Sequence, residues 1–138
     1  MNKSQIEHKR EIESEIISLF NKQNQVEATK IVLKLGQEGA SHEFDLYMPE
    51  KFIGGISTSP WTNKTPRRST NTGGQDRVST ELLWLNLWEG NEHRIIILTD
   101  REMADRLLKR WRGCAFPHQV EIIHYDLSVK YFETVGKL

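Results

Sequence analysis

Glu43 and Asp45 stand two apart in His42-Glu43-Phe44-Asp45-Leu46-Tyr47-Met48, a stretch that alternates as a strand does. That spacing predicts Glu43, Asp45 and Tyr47 on one face, with Phe44, Leu46 and Met48 turned to the core. Carboxylate oxygens suit a hard divalent cation, and one or two of them suffice beside substrate phosphates. The competing account is an amphipathic strand that shows its charge to water. Further on, Lys64, Arg67 and Arg68 crowd a polar loop together with Trp61, and Arg77 and Glu81 follow on a helix. Arg77 and Glu81 are one turn apart on the same helical face, so both can reach one site or pair with each other. The loop cations are of the kind that neutralise phosphates, against the plainer account of a solvated loop. Gln75 and Asp76, at the helix start, are additional polar candidates. Thr72-Gly73-Gly74 can bring backbone N–H groups to an anion. It lacks the Lys-Ser/Thr of a Walker sequence, which argues against ATP binding.

Composition bounds these readings. The 138 residues fit one domain spanning 1–138, long enough to bury a core without staples. Lys plus Arg and Asp plus Glu both number 19, so any attraction to a polyanion must come from local clusters. Cys114 is the single cysteine, which excludes an internal disulfide and any multi-cysteine zinc site, and it reads as a small buried or half-buried filler. His8, His42, His93, His118 and His124 show no ligand spacing and read as structural or surface groups. No apolar run reaches membrane-spanning length, and the charged start, Met1 to Arg10, lacks a signal-peptide segment. The expectation is a soluble, cytoplasmic chain.

The elements that would position these residues follow from periodicity. Residues 4 to about 22 carry Ile12, Ile16, Leu19 and Phe20 as a helical stripe, with Ser4 and Glu7 as a capping box. Asn24 can open a second helical segment through Leu33 and Lys34, against a competing strand over Thr29 to Leu35, where β-branched residues are dense. Glu43–Met48 and Phe52–Thr58 predict a hairpin turning at Pro49-Glu50-Lys51. Pro60 and Pro66, with Thr, Ser and Asn around them, predict irregular chain until about Gly74, a length that points to function. Gln75–Trp88 predicts a central helix, apolar almost all round. Arg94–Thr99 predicts a strand buried on both faces. Asp100 then caps a helix carrying Met103, Ala104, Leu107, Leu108 and Trp111, and Val120–Tyr125 returns as a strand. This is a βαβ unit. The tail after Asp126 is either an edge strand or frayed. The fold class is α/β: a mixed central sheet, an N-terminal hairpin plus a parallel βαβ unit, flanked by helices. Trp84, Trp88 and Trp111 belong to the core and Trp61 to the surface.

This order, with Phe44-Asp45 in the place of the family's Pro-Asp pair, resembles the restriction-endonuclease-like fold of the PD-(D/E)XK nuclease superfamily. In that family a strand aspartate precedes, by about ten residues, an acidic-x-Lys pair on the next strand. Gly55 and Ser57 stand at those two places here, so both family residues are missing. Some members carry the second carboxylate on the following helix, in a pattern of Lys, about a dozen residues, Arg and then Glu. Lys64, Arg77 and Glu81 resemble it, with twelve residues between Lys64 and Arg77 and three rather than two between Arg77 and Glu81. The resemblance implies a Mg²⁺-dependent endonuclease, with Mn²⁺ as substitute, acting on DNA in preference to RNA. Asp45, with Glu81 or Glu43, would hold the metal; Lys64 would serve the attacked phosphate; Lys64, Arg67, Arg68 and Arg77 would bind nucleic acid. Cutting both strands of a duplex implies a homodimer or larger complex. Two other classes stay open: a catalytically silent member that binds nucleic acid or a protein, and an unrelated α/β interaction module.

Overall fold

The computed structural model describes residues 3–64 and 67–138. Pro66, counted above among the breakers of regular structure, lies outside them, as do Met1 and Asn2. The chain runs α1 (Lys3–Asn24), β1 (Thr29–Lys34), β2 (Ser41–Met48), β3 (Phe52–Ser57), β4 (Thr62–Asn63), β5 (Ser69–Thr70), α2 (Thr72–Leu87), β6 (His93–Leu98), α3 (Arg101–Trp111), β7 (Val120–Asp126) and β8 (Tyr131–Lys137). Six strands form one mixed sheet in the order β1-β2-β3-β6-β7-β8. The inner strands β3, β6 and β7 are parallel, and antiparallel pairs extend both sides.

Ile95, Ile96, Ile97 and Leu98 of β6 are all buried, as an unbroken apolar run in a parallel centre requires. Their side chains alternate between two cores. Ile96 and Leu98 pack with Val78, Leu82 and Leu85 of α2 and Met103 and Leu107 of α3; Ile95 and Ile97 pack with Ile16 and Phe20 of α1. Helices therefore cover both faces. Arg94, buried at the foot of β6, donates to the carbonyls of Leu85, Trp88, Gly90 and Glu92, where α2 ends. One guanidinium thus satisfies acceptors that a helix terminus leaves unpaired. Among the described residues no helix is long and apolar enough to cross a membrane.

Several expectations need correction. Asn24 closes α1 instead of opening another helix: its side chain donates to the Phe20 carbonyl, and Gln25 turns through a left-handed φ of 54°. Asn21 clamps both backbone groups of Ala28 and so launches β1, where Thr29, Ile31 and Val32 favour extended chain. Ser4 lies inside α1, which begins at Lys3, so it does not cap it. The loop after Pro60 contains regular structure: β4 and β5 pair as a short arm, and Asn71 caps α2 by accepting from the Gly74 N–H at 3.2 Å. That helix is not apolar all round in its environment, since Leu83 and Leu87 are exposed. Cys114 is exposed, in the turn after α3, and is no core filler. Trp61 is half-buried against α3. The tail is the edge strand β8.

Candidate functional site

A β-bulge in β2 sets the site. Thr29 of β1 pairs with Tyr47 and Ile31 with Phe44, so two residues, Asp45 and Leu46, stand opposite Lys30 alone. The extra residue breaks the strict alternation expected for this strand. Phe44 and Tyr47 pack on the α2 side, whereas Leu46 and Met48 join the α1 side. Tyr47 therefore leaves the face expected for the three, while Glu43 and Asp45 both reach Lys30. Pairing between β2 and β3 runs from Met48–Phe52 through Leu46–Gly54, and then the two strands part. Asp45 sits at that parting. Its Oδ2 accepts the Ile56 N–H at 2.8 Å, and its side chain is 21% exposed. Burial, the largest influence, pushes its pKa up, and the Ile56 N–H opposes this.

Glu81 reaches the same place from α2. An ideal Cβ built on Gly55 would fall 2.5 Å from Glu81 Oε1, so the carboxylate lies in the space a β3 side chain would fill. Its Oε2 meets His42 Nε2 at 2.9 Å, and its Oε1 is buried with no hydrogen-bond partner. Desolvation, with the neighbouring Asp45 charge, pushes the Glu81 pKa up to about 8. His42 is stacked on Trp84, ring centroids 4.8 Å apart and 8° from parallel, with Phe44 at its edge. Burial lowers the His42 pKa, which keeps the imidazole neutral at pH 7. Among the described residues Glu81 pairs with His42 and makes no ion pair with Arg77.

On the other side of Asp45 lies a charge cluster. Lys30 Nζ stands 3.4 Å from Glu13 Oε2, 3.7 Å from Asp45 Oδ1 and 3.8 Å from Glu43 Oε1. Glu13 is buried on α1, and Glu43 is 54% exposed and faces Lys30. A cavity of about 120 Å³ opens over Glu81, lined also by Gly55, Ser57, Ser59, Arg77 and Lys9. It lies at the C-terminal end of β3, where α/β sheets commonly receive ligands.

The sequence-selected residues divide accordingly. Asp45 lies near enough for its charge to act on Glu81, and Arg77 lines the cavity beside Glu81, which Asp45 does not line. Glu43 belongs to the Lys30 cluster. Lys64, Arg67 and Arg68 are exposed on the β4–β5 arm and do not line that cavity. The arm is anchored to α3: Asp100 accepts the Trp61 N–H, Thr62 donates to Glu102, and Arg106 and Arg110 lie over the Trp61 ring at 5.9 and 4.9 Å. Asp76 is exposed, and Gln75 is buried against the Trp61 carbonyl.

Lys9, Glu13, Lys30 and His42 were not selected from the sequence. Glu13 had a readable signal, since it falls on the buried α1 face, three and seven residues before Ile16 and Phe20. His42 and Lys30 had none.

The donor set suits a hard cation in part. Two carboxylates lie near each other, one with an unpartnered oxygen, yet among the described residues no group of three or more His, Cys, Asp or Glu forms a ligand cluster. Magnesium commonly takes only one or two protein carboxylates, so the donor types suit it, although Lys30 and the Ile56 N–H already face the two Asp45 oxygens. No protein-family model, no curated protein and no solved structure matches this chain.

Proposed function

We propose that this chain is a Mg²⁺-dependent nuclease of restriction-endonuclease-like architecture, hydrolysing phosphodiesters in DNA. One observation carries the reading: the Glu81 carboxylate, with a bare oxygen, fills the space left by Gly55 beside Asp45. The acid missing from β3 is thereby supplied from α2. Asp45 and Glu81 would hold the metal, which when bound supplies Lewis-acid stabilisation of charge on the phosphate. His42 fixes one Glu81 oxygen and leaves the other buried against Gly55 without a partner. Arg77 and Lys9, on the cavity wall, offer positive charge to the substrate phosphate. Lys64, Arg67 and Arg68 sit farther out and suit contacts to flanking phosphates better than the reacting one.

Cleavage of labelled single-stranded and duplex DNA in Mg²⁺ or Mn²⁺ tests this. Asp45→Asn and Glu81→Gln should each reduce the rate by a hundredfold or more, of the order seen when a charge-stabilising group is removed. Unchanged rates in both variants would remove the proposed centre.

A catalytically silent nucleic-acid binder is favoured by one specific contact. Lys30 already supplies Asp45 Oδ1 with positive charge at 3.7 Å, and Ser57 stands where the family has its lysine. That reading expects salt-dependent DNA binding, no cleavage, and no calorimetric signal for Mg²⁺.

A further inference from the structure

A second cavity, of about 360 Å³, lies on the outer side of Glu81. His42, Trp84, Thr80, Asp76, Arg77 and Glu81 line it. Arg77 and Glu81 belong to both cavities, so the two share a wall. Trp84 and His42, stacked nearly parallel, form a rigid aromatic side to the second one. Arg77 is exposed at the junction and engages no carboxylate among the described residues. An aromatic wall, polar groups at its rim and a free guanidinium at its mouth match a flat heterocycle attached to a phosphate.

The geometry points to an unpaired nucleobase as the occupant of this cavity, lodged against the Trp84–His42 pair while Arg77 holds the phosphate between base and cleft. The inference rests on reading the Glu81–Asp45 cleft as a phosphodiester site, and it specifies the substrate class: strands with an unpaired base beside the reacting phosphate. A base still paired in a duplex presents only its edges, and its faces are covered by neighbours. Entry therefore requires single-stranded, flapped or locally opened DNA. Phosphate at Arg77 and base at Trp84 would set which nucleotide lies next to Glu81, as stacking does in sequence-tolerant single-strand binders.

Abasic scanning of a short fluorescent single-stranded oligodeoxynucleotide, bound in Ca²⁺ and read by anisotropy, tests the proposal. One abasic position should weaken binding at least about fivefold, the lower end for loss of one base–aromatic stack, while its neighbours change little. Trp84→Leu should bind the intact strand as weakly as the abasic one. Because Trp84 also packs on the core, Thr80→Tyr serves as the second variant: Thr80 is exposed, and the added ring fills the cavity without entering the core. It too should erase the abasic penalty. A uniform scan, a penalty that persists in Thr80→Tyr, equal affinity for a blunt, fully paired duplex, or no binding at all would overturn the assignment. Cleavage of the same strand in Mg²⁺ by wild type and Asp45→Asn separates the two claims. Cleavage with a uniform scan sinks only the base site, and a localised penalty without cleavage sinks only the hydrolytic reading.

Discussion

Glu81 is a buried carboxyl with one oxygen bare and its proton held to unusually high pH. Its pKa of about 8 lies above the ordinary value of 4.5 because burial and Asp45 both disfavour the anion. Between those pH values the folded chain holds a proton that the unfolded chain releases. Stability therefore falls as pH rises through that window and levels off above it. Glu81→Gln should remove this slope. By urea unfolding, the variant should match the wild type near pH 4.5 and exceed it by ~2–5 kcal/mol at pH 8.5, the scale set by a shift of this size. Mg²⁺ should recover part of that difference in the wild type alone. Parallel pH profiles for the two proteins would show that Glu81 is not the titrating group. Gly55 gives a companion test. Gly55→Asp alone places two carboxyl groups in one space and should destabilise the chain by ~1–3 kcal/mol. Gly55→Asp combined with Glu81→Ala returns the carboxylate to β3 and should restore Mg²⁺ affinity measured by calorimetry.

At the scale of elements, much of the frame was legible because its signals are local. The apolar run of β6, the Asp100 cap of α3 and the α1 stripe each declare a period or a terminus within a few residues. The bulge in β2 was not legible. It depends on how β1 registers against Asp45 and Leu46, a long-range pairing that leaves no mark on the alternation itself. Hence Tyr47 leaves the face read from that strand, while Glu43 and Asp45 stay together at Lys30 and Glu81 approaches Asp45 from α2. β1 was ambiguous for a related reason: Lys30 to Lys34 suits either period, and the Asn21–Ala28 clamp decides it. The β4–β5 arm depends on Trp61 lying beneath Arg106 and Arg110, a contact made across the chain. Trp61→Ala should loosen the arm, raising amide exchange over residues 62–64 and 67–70 while leaving β6 protected. Affinity for DNA should drop severalfold in 0.05 M salt and hardly at all in 0.5 M, where phosphate contacts are already screened. Unaltered exchange in the arm would show that its anchor lies elsewhere.

Across the whole molecule, net charge is zero and the working charges are sorted by position. Acid gathers at the parting of β2 and β3, Lys9 of α1 and Arg77 of α2 line the cavity there, and the arm carries its own exposed cations. On the proposed reading, such an arrangement would admit a polyanion to the edge of the cleft and a cation to its floor. A dimer is required only if both strands of a duplex are cut. With an unpaired strand as substrate one copy suffices, and sedimentation equilibrium should return the 16.1 kDa single chain. A tight dimer would redirect the account towards duplex cutting. The most direct measurement is calorimetric titration of Mg²⁺ or Mn²⁺ into the wild type, Asp45→Asn and Glu81→Gln at pH 8.5. The account predicts one cation bound by the wild type and affinity lowered at least about tenfold in each variant. Equal binding by all three proteins, or none by the wild type, would contradict it.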